Sequence, residues 1–145
     1  MRLTTRTRYA LRALIELSQL PSGEVLSARV IAKRQHVHLG YLEQILHRLR
    51  RAGLIIGRKG PGGGFLLARE PKNIRLRDIL DAAGETIAPV HCLLGKTDTH
   101  CPRVAVCPMK SCWNELKIRI DVFFDHYTLR DILCGMRQGR SRKEK

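Results

Sequence analysis

Between Thr5 and Leu20, apolar residues fall at Ala10, Ala13, Leu14, Leu17 and Leu20, with Leu11 and Ile15 beside them. Steps of three and four predict an amphipathic helix with a broad buried face, ended by Pro21-Ser22-Gly23. After Val25 and Leu26, Ser27 is placed to cap a short helix over Ala28 to Gln35, with Val30 and Ile31 inward and Arg29, Lys33 and Arg34 outward. A break at His36-Val37-His38 leads into a helix from Leu39 to Arg51. There Leu42, Ile45, Leu46 and Leu49 form one stripe, while Tyr41, Gln44, His47, Arg48 and Arg51 lie elsewhere on the surface. Two short helices joined by a tight turn, the second polar and basic on its outer side, make a helix-turn-helix.

Gly53 is placed to stop that helix, and Leu54-Ile55-Ile56 has the composition of a short strand. Gly57-Arg58-Lys59-Gly60-Pro61-Gly62-Gly63-Gly64 then leads into the apolar run Phe65-Leu66-Leu67-Ala68. Strand, glycine-rich tip with adjacent cations, strand: this predicts a β-hairpin wing. The stretch is not a phosphate-cradling nucleotide loop, because it lacks a GKS or GKT ending and runs into a strand instead of a helix. Ile74 to Ala83 predicts a further short amphipathic helix, ended by Gly84. From Trp113 the positions Trp113, Leu116, Ile120, Phe123 and Tyr127 step by three, four, three and four, the seam of a helix that packs against another helix. So short a chain has little left to cover that seam except its own copy. Thr128 is placed to cap a last short helix, Leu129 to Leu133, before a solvated, disordered tail from Arg137 to Lys145.

The expected fold is therefore mainly α with a small β-hairpin: a winged helix-turn-helix followed by a long C-terminal dimerisation helix. The expected division is a DNA-binding domain over residues 1–84, a cysteine-rich loop over 85–112, the dimerisation helix and short final helix over 113–134, and a basic tail over 135–145.

Charge sharpens this picture. Of the net +14, residues 1–77 carry 16 Lys or Arg against 4 Asp or Glu, and residues 78–136 carry 6 against 8. A basic N-terminal half points to a polyanion partner, nucleic acid before membrane, since no basic helix here has an aromatic-rich apolar face. No uninterrupted apolar run reaches the 18 or so residues of a membrane span.

Four of the five cysteines, Cys92, Cys101, Cys107 and Cys112, lie within 21 residues. The residues between them include Gly95, Pro102 and Pro108, so the thiols sit on coil able to fold round one centre. The N-terminus carries Arg2, Arg6, Arg8 and Arg12 where a signal peptide would need an apolar run, so the chain is expected in the cytosol. There, clustered thiols usually mean metal or redox chemistry rather than disulfides. Thiolates suit iron–sulfur clusters and zinc alike, and the absence of paired CxxC knuckles weakens zinc. Uncoordinated redox thiols are the third possibility. His91 and His100 stand beside candidate ligands, and Cys134, in the final apolar helix, reads as a small buried hydrophobe.

Three stretches carry a resemblance: the opening MRLTTRTRYALRAL; the run from Val30-Ile31-Ala32 through Gly64, with YLEQIL, LRRAGL and KGPGGGFLLA; and RLRDILDA. Together they resemble the Rrf-two family of bacterial winged-helix regulators of the IscR/NsrR type, over nearly all of the first 135 residues. The resemblance implies a homodimeric transcription regulator whose loop before the dimer helix often holds an iron–sulfur cluster (2Fe-2S or 4Fe-4S) on three cysteines. Cys92, Cys101 and Cys107 match those three, and Trp113 matches the tryptophan opening the dimer helix. The gap from Cys92 to Cys101 is longer than is common. Where IscR-like members place a histidine ligand this chain has Lys110, and where NsrR-like members place an acid it has Arg8. Cys112 is the natural candidate for the fourth ligand.

A recognition helix presents its N-terminal residues to base edges in the major groove, which here are His38, Leu39, Gly40, Tyr41, Glu43 and Gln44. Gln44 is suited to adenine and Glu43 to cytosine N4, although Glu43 is as readily a surface partner for His47 or Arg50. Arg58, Lys59 and Gly60 at the wing tip are placed for the minor groove or its phosphates, and Arg29, Arg34, Arg48 and Arg51 for the backbone. Two-fold symmetry predicts a pseudo-palindromic double-stranded site. Catalysis finds no motif to hold the cysteines and six histidines together, so no enzyme is expected. An electron-transfer protein would leave the basic helix and wing unused. A thiol-based or partner-binding repressor without a cluster is the main alternative.

Overall fold

The computed structural model describes residues 3–93, 101, 103 and 105–141. Helix α1 (Thr5–Ser18) starts at Thr4, whose hydroxyl accepts the Thr7 N–H; Ala10, Ala13, Leu14 and Leu17 of the predicted stripe are buried on it, joined by Thr7, while Leu20 lies past its end and is half-buried. Helix α2 (Ala28–Gln35) is capped by Ser27, whose hydroxyl accepts from the Val30 N–H at 3.3 Å. Its inward residues are Ile31 and Ala32; Val30 is 38% exposed, contrary to expectation, because a core-facing arc centred between Ile31 and Ala32 leaves position 30 about 150° round the helix from its middle. His36 closes α2 in the left-handed conformation (φ 51°) that makes the tight turn into α3 (Leu39–Arg51). On α3 the stripe Leu42, Ile45, Leu46 and Leu49 is buried as expected.

Gly53 (φ 66°) ends α3, and β1 (Ile55–Arg58) pairs antiparallel with β2 (Gly64–Leu67), each shifted by a residue or so from the predicted strand. A third extended segment escaped the sequence reading: Leu26 bridges Phe65 through Leu26 N–H to Phe65 O and Phe65 N–H to Leu26 O, both 2.9 Å. This bridge ties the wing to the start of α2. Helix α4 (Leu76–Ala83) is shorter than predicted: Ile74 is buried but precedes the helix in extended conformation. Gly84 (φ 72°) terminates it.

Helix α5 (Lys110–His126) begins before Trp113, so Cys112 lies in its first turn and not in the loop. Helix α6 (Leu129–Ser141) is capped by Thr128 and Asp131, whose carboxylate accepts both the Thr128 N–H and hydroxyl. It continues well past the predicted stop at Leu133, and the expected disorder from Arg137 gives way to helical backbone as far as Ser141. Residues 142–145 lie outside the described residues. Leu129 is fully buried and Leu133 packs beside it, in the same core that α1, α3, β1 and α4 supply. Cys134, one step further round the helix, is exposed, which corrects its reading as a buried hydrophobe.

A smaller cluster, Leu80, Ile87 and Phe124 with Leu76 and Ile120 against it, joins α4 to α5. Arg77 reinforces it by pairing with Asp121 and, at 3.3 Å, Asp125. Phe124, absent from the predicted seam, is thus the buried residue of α5 that packs on its own chain, with Ile120 half-buried beside it. Leu116, Phe123 and Tyr127 stay exposed; Phe123 is 52% exposed with its ring stacked on Tyr127 at 5.0 Å.

Candidate nucleic-acid interface and cysteine segment

The core stripe of α3 points its other side outward, and there His38, Glu43, Gln44, Arg48 and Arg51 are exposed. Gly40, Glu43, Gln44, His47, Arg48 and Arg51 line a shallow groove along this face. Leu39 and Tyr41 are half-buried and pack on the core, the Tyr41 ring lying edge-on to Tyr9 at 6.2 Å. They anchor the helix end that carries the residues expected to face base edges. No side chain caps α3, so its first N–H groups and positive pole face outward at His38.

Beside the helix, the wing tip exposes Arg58, Lys59 and Gly60. Its glycines do two different jobs. Gly60 and Gly62 have positive φ (100° and 72°) and turn the tip, whereas Gly63 and Gly64 are demanded by close backbone approach. A β-carbon on Gly63 would lie 2.4 Å from Arg58 O, and one on Gly64 would lie 2.6 Å from Leu26 C and O.

Arg29 and Arg34 are exposed on α2, with Arg34 3.4 Å from Glu16. Arg48 is exposed, and its Nη1 and that of Arg6 sit close to Gly84, at the negative pole of α4. Arg50, which the sequence reading did not place among the DNA-facing cations, lies against Gly57 of the wing. Nothing in its local sequence marks that position; only the fold of the hairpin back along α3 does.

The segment that follows α4 is fixed at its start. Glu85 accepts hydrogen bonds from the Thr4 N–H (3.0 Å), the Thr4 hydroxyl (2.8 Å) and the buried Thr7 hydroxyl, so one carboxylate caps α1. Partial burial pushes its pKa up, but these bonds and nearby Arg6 outweigh that and hold it below the usual carboxylate value. Arg6 adds a bond to Ala83 O at 3.1 Å. Of the candidate ligands, Cys92 and Cys107 are half-buried and Cys101 and Cys112 exposed, and all are free thiols. Their chemistry suits a soft metal centre. Among the described residues, however, no three Cys, His, Asp or Glu side chains come together as a metal site. His100 lies outside the described residues, as does the side chain of His91. Among the described residues, no helix is long and apolar enough to cross a membrane.

A helix-turn-helix whose second helix is flanked by a cationic hairpin defines a winged-helix DNA-binding protein, mostly helical with one two-stranded sheet. The chain belongs to the Rrf2 family, described as "Iron-dependent Transcriptional regulator", which matches residues 3–135. It is 37% identical over 135 residues to the HTH-type transcriptional regulator IscR of Cereibacter sphaeroides, covering 92% of this chain and 87% of that one. It is 35% identical over 133 residues to protein rrf2 of Nitratidesulfovibrio vulgaris, with the same coverage. Among solved structures, CymR (YrzC), the global cysteine regulator of B. subtilis, matches with a TM-score of 0.73 and 28% identity over 91% of this chain and 95% of that one. T. potens IscR matches with a TM-score of 0.68 and 32% identity over 94% and 88%. The relatives are transcriptional regulators and not enzymes, and DNA binding follows from the family.

Proposed function

We propose that this chain is a homodimeric transcription regulator whose DNA affinity is set by an iron–sulfur cluster on Cys92, Cys101, Cys107 and Cys112, sensing redox state, nitric oxide or iron supply in the cytoplasm. The observation that carries the reading is position. Three free thiols sit on the one segment that connects the DNA-reading core to a helix with an exposed apolar face, and a fourth, Cys112, sits in the first turn of that helix. Thiolates are the donors such clusters take, and the similarity to two IscR proteins supports the same choice. When bound, the cluster supplies a centre that oxidants and nitric oxide attack.

The residues of the chain do the rest. Gln44 and Glu43 meet base edges, and Arg58, Lys59, Arg29, Arg34, Arg48 and Arg51 meet phosphate. Leu116, Phe123 and Tyr127, with Trp113 and the half-buried Ile120, face a second copy across α5. Anaerobic purification followed by an absorption spectrum and iron and sulfide assays tests the cofactor. A colourless, iron-free protein that binds a pseudo-palindromic duplex would overturn it. Such a result would favour a second reading, a cluster-free thiol-based regulator, which the structural likeness to CymR supports. In that case thiol oxidation, read by mass spectrometry, would change DNA affinity.

A further inference from the structure

We propose that the cleft between α3 and the wing seats the sugar-phosphate strand that divides the major from the minor groove, with Arg50 as the residue that grips it. The inference rests on the DNA-binding reading of α3 and the wing. The cleft holds about 290 Å³ and is lined by Arg50, Gly57, Arg58, Lys59, Phe65 and Ser27, among others. Three cations therefore converge on one small space. None of them pairs with a carboxylate among the described residues, although other surface cations, Arg34, Arg69, Lys72, Arg75 and Arg77, do. Like charges held together repel, and a bound anion is what relieves them.

The occupant follows from groove geometry. A helix in the major groove and a hairpin tip in the adjacent minor groove must straddle the backbone between them, and the cleft is the space they straddle. A guanidinium presents donors in a fork that fits phosphate. Gly57 keeps the cleft open. A β-carbon there would point at Phe65 (3.6 Å) and Arg50 Nη1 (3.9 Å), both lining residues, at ordinary contact distances. A side chain at 57 is thus compatible with the strand but would fill the cleft.

The test compares Arg50→Gln, Arg50→Lys and Gly57→Val with the wild type. Each is titrated by fluorescence anisotropy, at several salt concentrations, onto a duplex selected from a random pool and onto an unselected duplex. Arg50→Gln should weaken both duplexes by the same factor, about eightfold per protomer at 0.1 M salt, and flatten the log–log salt slope by about 0.9 per protomer. Arg50→Lys should recover the slope, since charge is kept. Gly57→Val removes no charge yet should also weaken both. A wild-type slope in Arg50→Gln, or wild-type affinity in a folded Gly57→Val, overturns the proposal. Should Gly57→Val melt early, Gly57→Ser decides in its place. Gln44→Ala and Arg51→Gln, which lie on the α3 groove and not in the cleft, separate the two levels: if they act while Arg50 and Gly57 variants do not, only the cleft falls; if they too are silent, the DNA surface itself is misassigned and the cleft with it.

Discussion

Gly64→Ala probes the joint that holds the wing to the helix-turn-helix. A methyl group at this position would start 2.6 Å from Leu26 C and O and 2.9 Å from Ser27 N, all backbone atoms. Reaching ordinary carbon contact of about 3.4 Å or more requires the two segments to part by roughly 0.8 Å. The pair of 2.9 Å hydrogen bonds between Leu26 and Phe65 cannot survive that separation with good geometry. Two such bonds at about 1 kcal/mol each, plus lost packing of the buried Leu26, give roughly 2–3 kcal/mol. For a chain of this size that is a fall of about 6–12 °C in melting temperature, measured by circular dichroism. Gly62→Ala is the internal control. Its β-carbon meets nothing within 4 Å, so only the positive φ (72°) is penalised, about 1–2 kcal/mol. A Gly64→Ala protein that melts with the wild type, or above Gly62→Ala, would refute the close-approach argument.

Glu85→Gln removes the charge that caps α1 and should cost about 1–3 kcal/mol at neutral pH by chemical denaturation. Because the folded carboxyl is held below its unfolded value of about 4.3, its contribution is fully present above that pH and lost as pH falls through the folded pKa. The stability gap between wild type and variant should therefore close on acidification, and a gap that widens would contradict the assigned bonds. Leu116→Glu with Phe123→Glu should give monomer by light scattering, the pair being chosen because Ile120 also packs on Leu80, Ile87 and Phe124 of its own chain; a stable dimer would remove this face from consideration. Gln44→Ala should relax base preference at one symmetric position, costing about 1–3 kcal/mol on the selected duplex and nothing on an unselected one. Cys92→Ala, Cys101→Ala and Cys107→Ala should each abolish a visible chromophore, and a chromophore that outlives all three changes would defeat the ligand assignment.

Helices α2 and α3 were legible in the sequence to the residue because their signals are local: Ser27 as a cap, a break at His36 to His38, and Gly53 just past the end. The errors come where distance along the chain hides the partner. Leu26 finds Phe65 across the hairpin, and Glu85 finds Thr4 and Thr7 some eighty residues away, so neither contact leaves a periodic trace. The seam on α5 was read correctly as apolar, but periodicity cannot say which edge turns toward the chain's own body. Phe124 does so because α4 places Leu80 and Arg77 beneath it. Helix α6 was cut short because a glycine and a run of cations resemble a tail. The Thr128–Asp131 cap and the buried Leu129 outweigh that composition.

The same contacts bear on how a change in the cysteine segment would reach DNA without touching it. Its entry is held by Glu85 on α1 and by Ile87 against Leu80; its exit, α5, is held by Phe124 against the same Leu80 and by Arg77. Both ends thus bear on α4, whose other side packs on α1 and on the recognition helix α3. A shortened or stiffened segment would pull two anchors that share one helix, shifting α4 relative to α5 in preference to unfolding either. In a dimer held through α5, that shift is a change in the spacing of the two α3 helices. A bias of only about 1–3 kcal/mol between two spacings alters affinity about 5–150-fold. Coupling of that size is within reach of the contacts on α4: the Leu80 cluster, fully dry at its centre, and one arginine shared by two aspartates. Helix α4, which carries none of the predicted ligands and none of the predicted DNA contacts, is therefore where the proposed sensing and the DNA reading would meet.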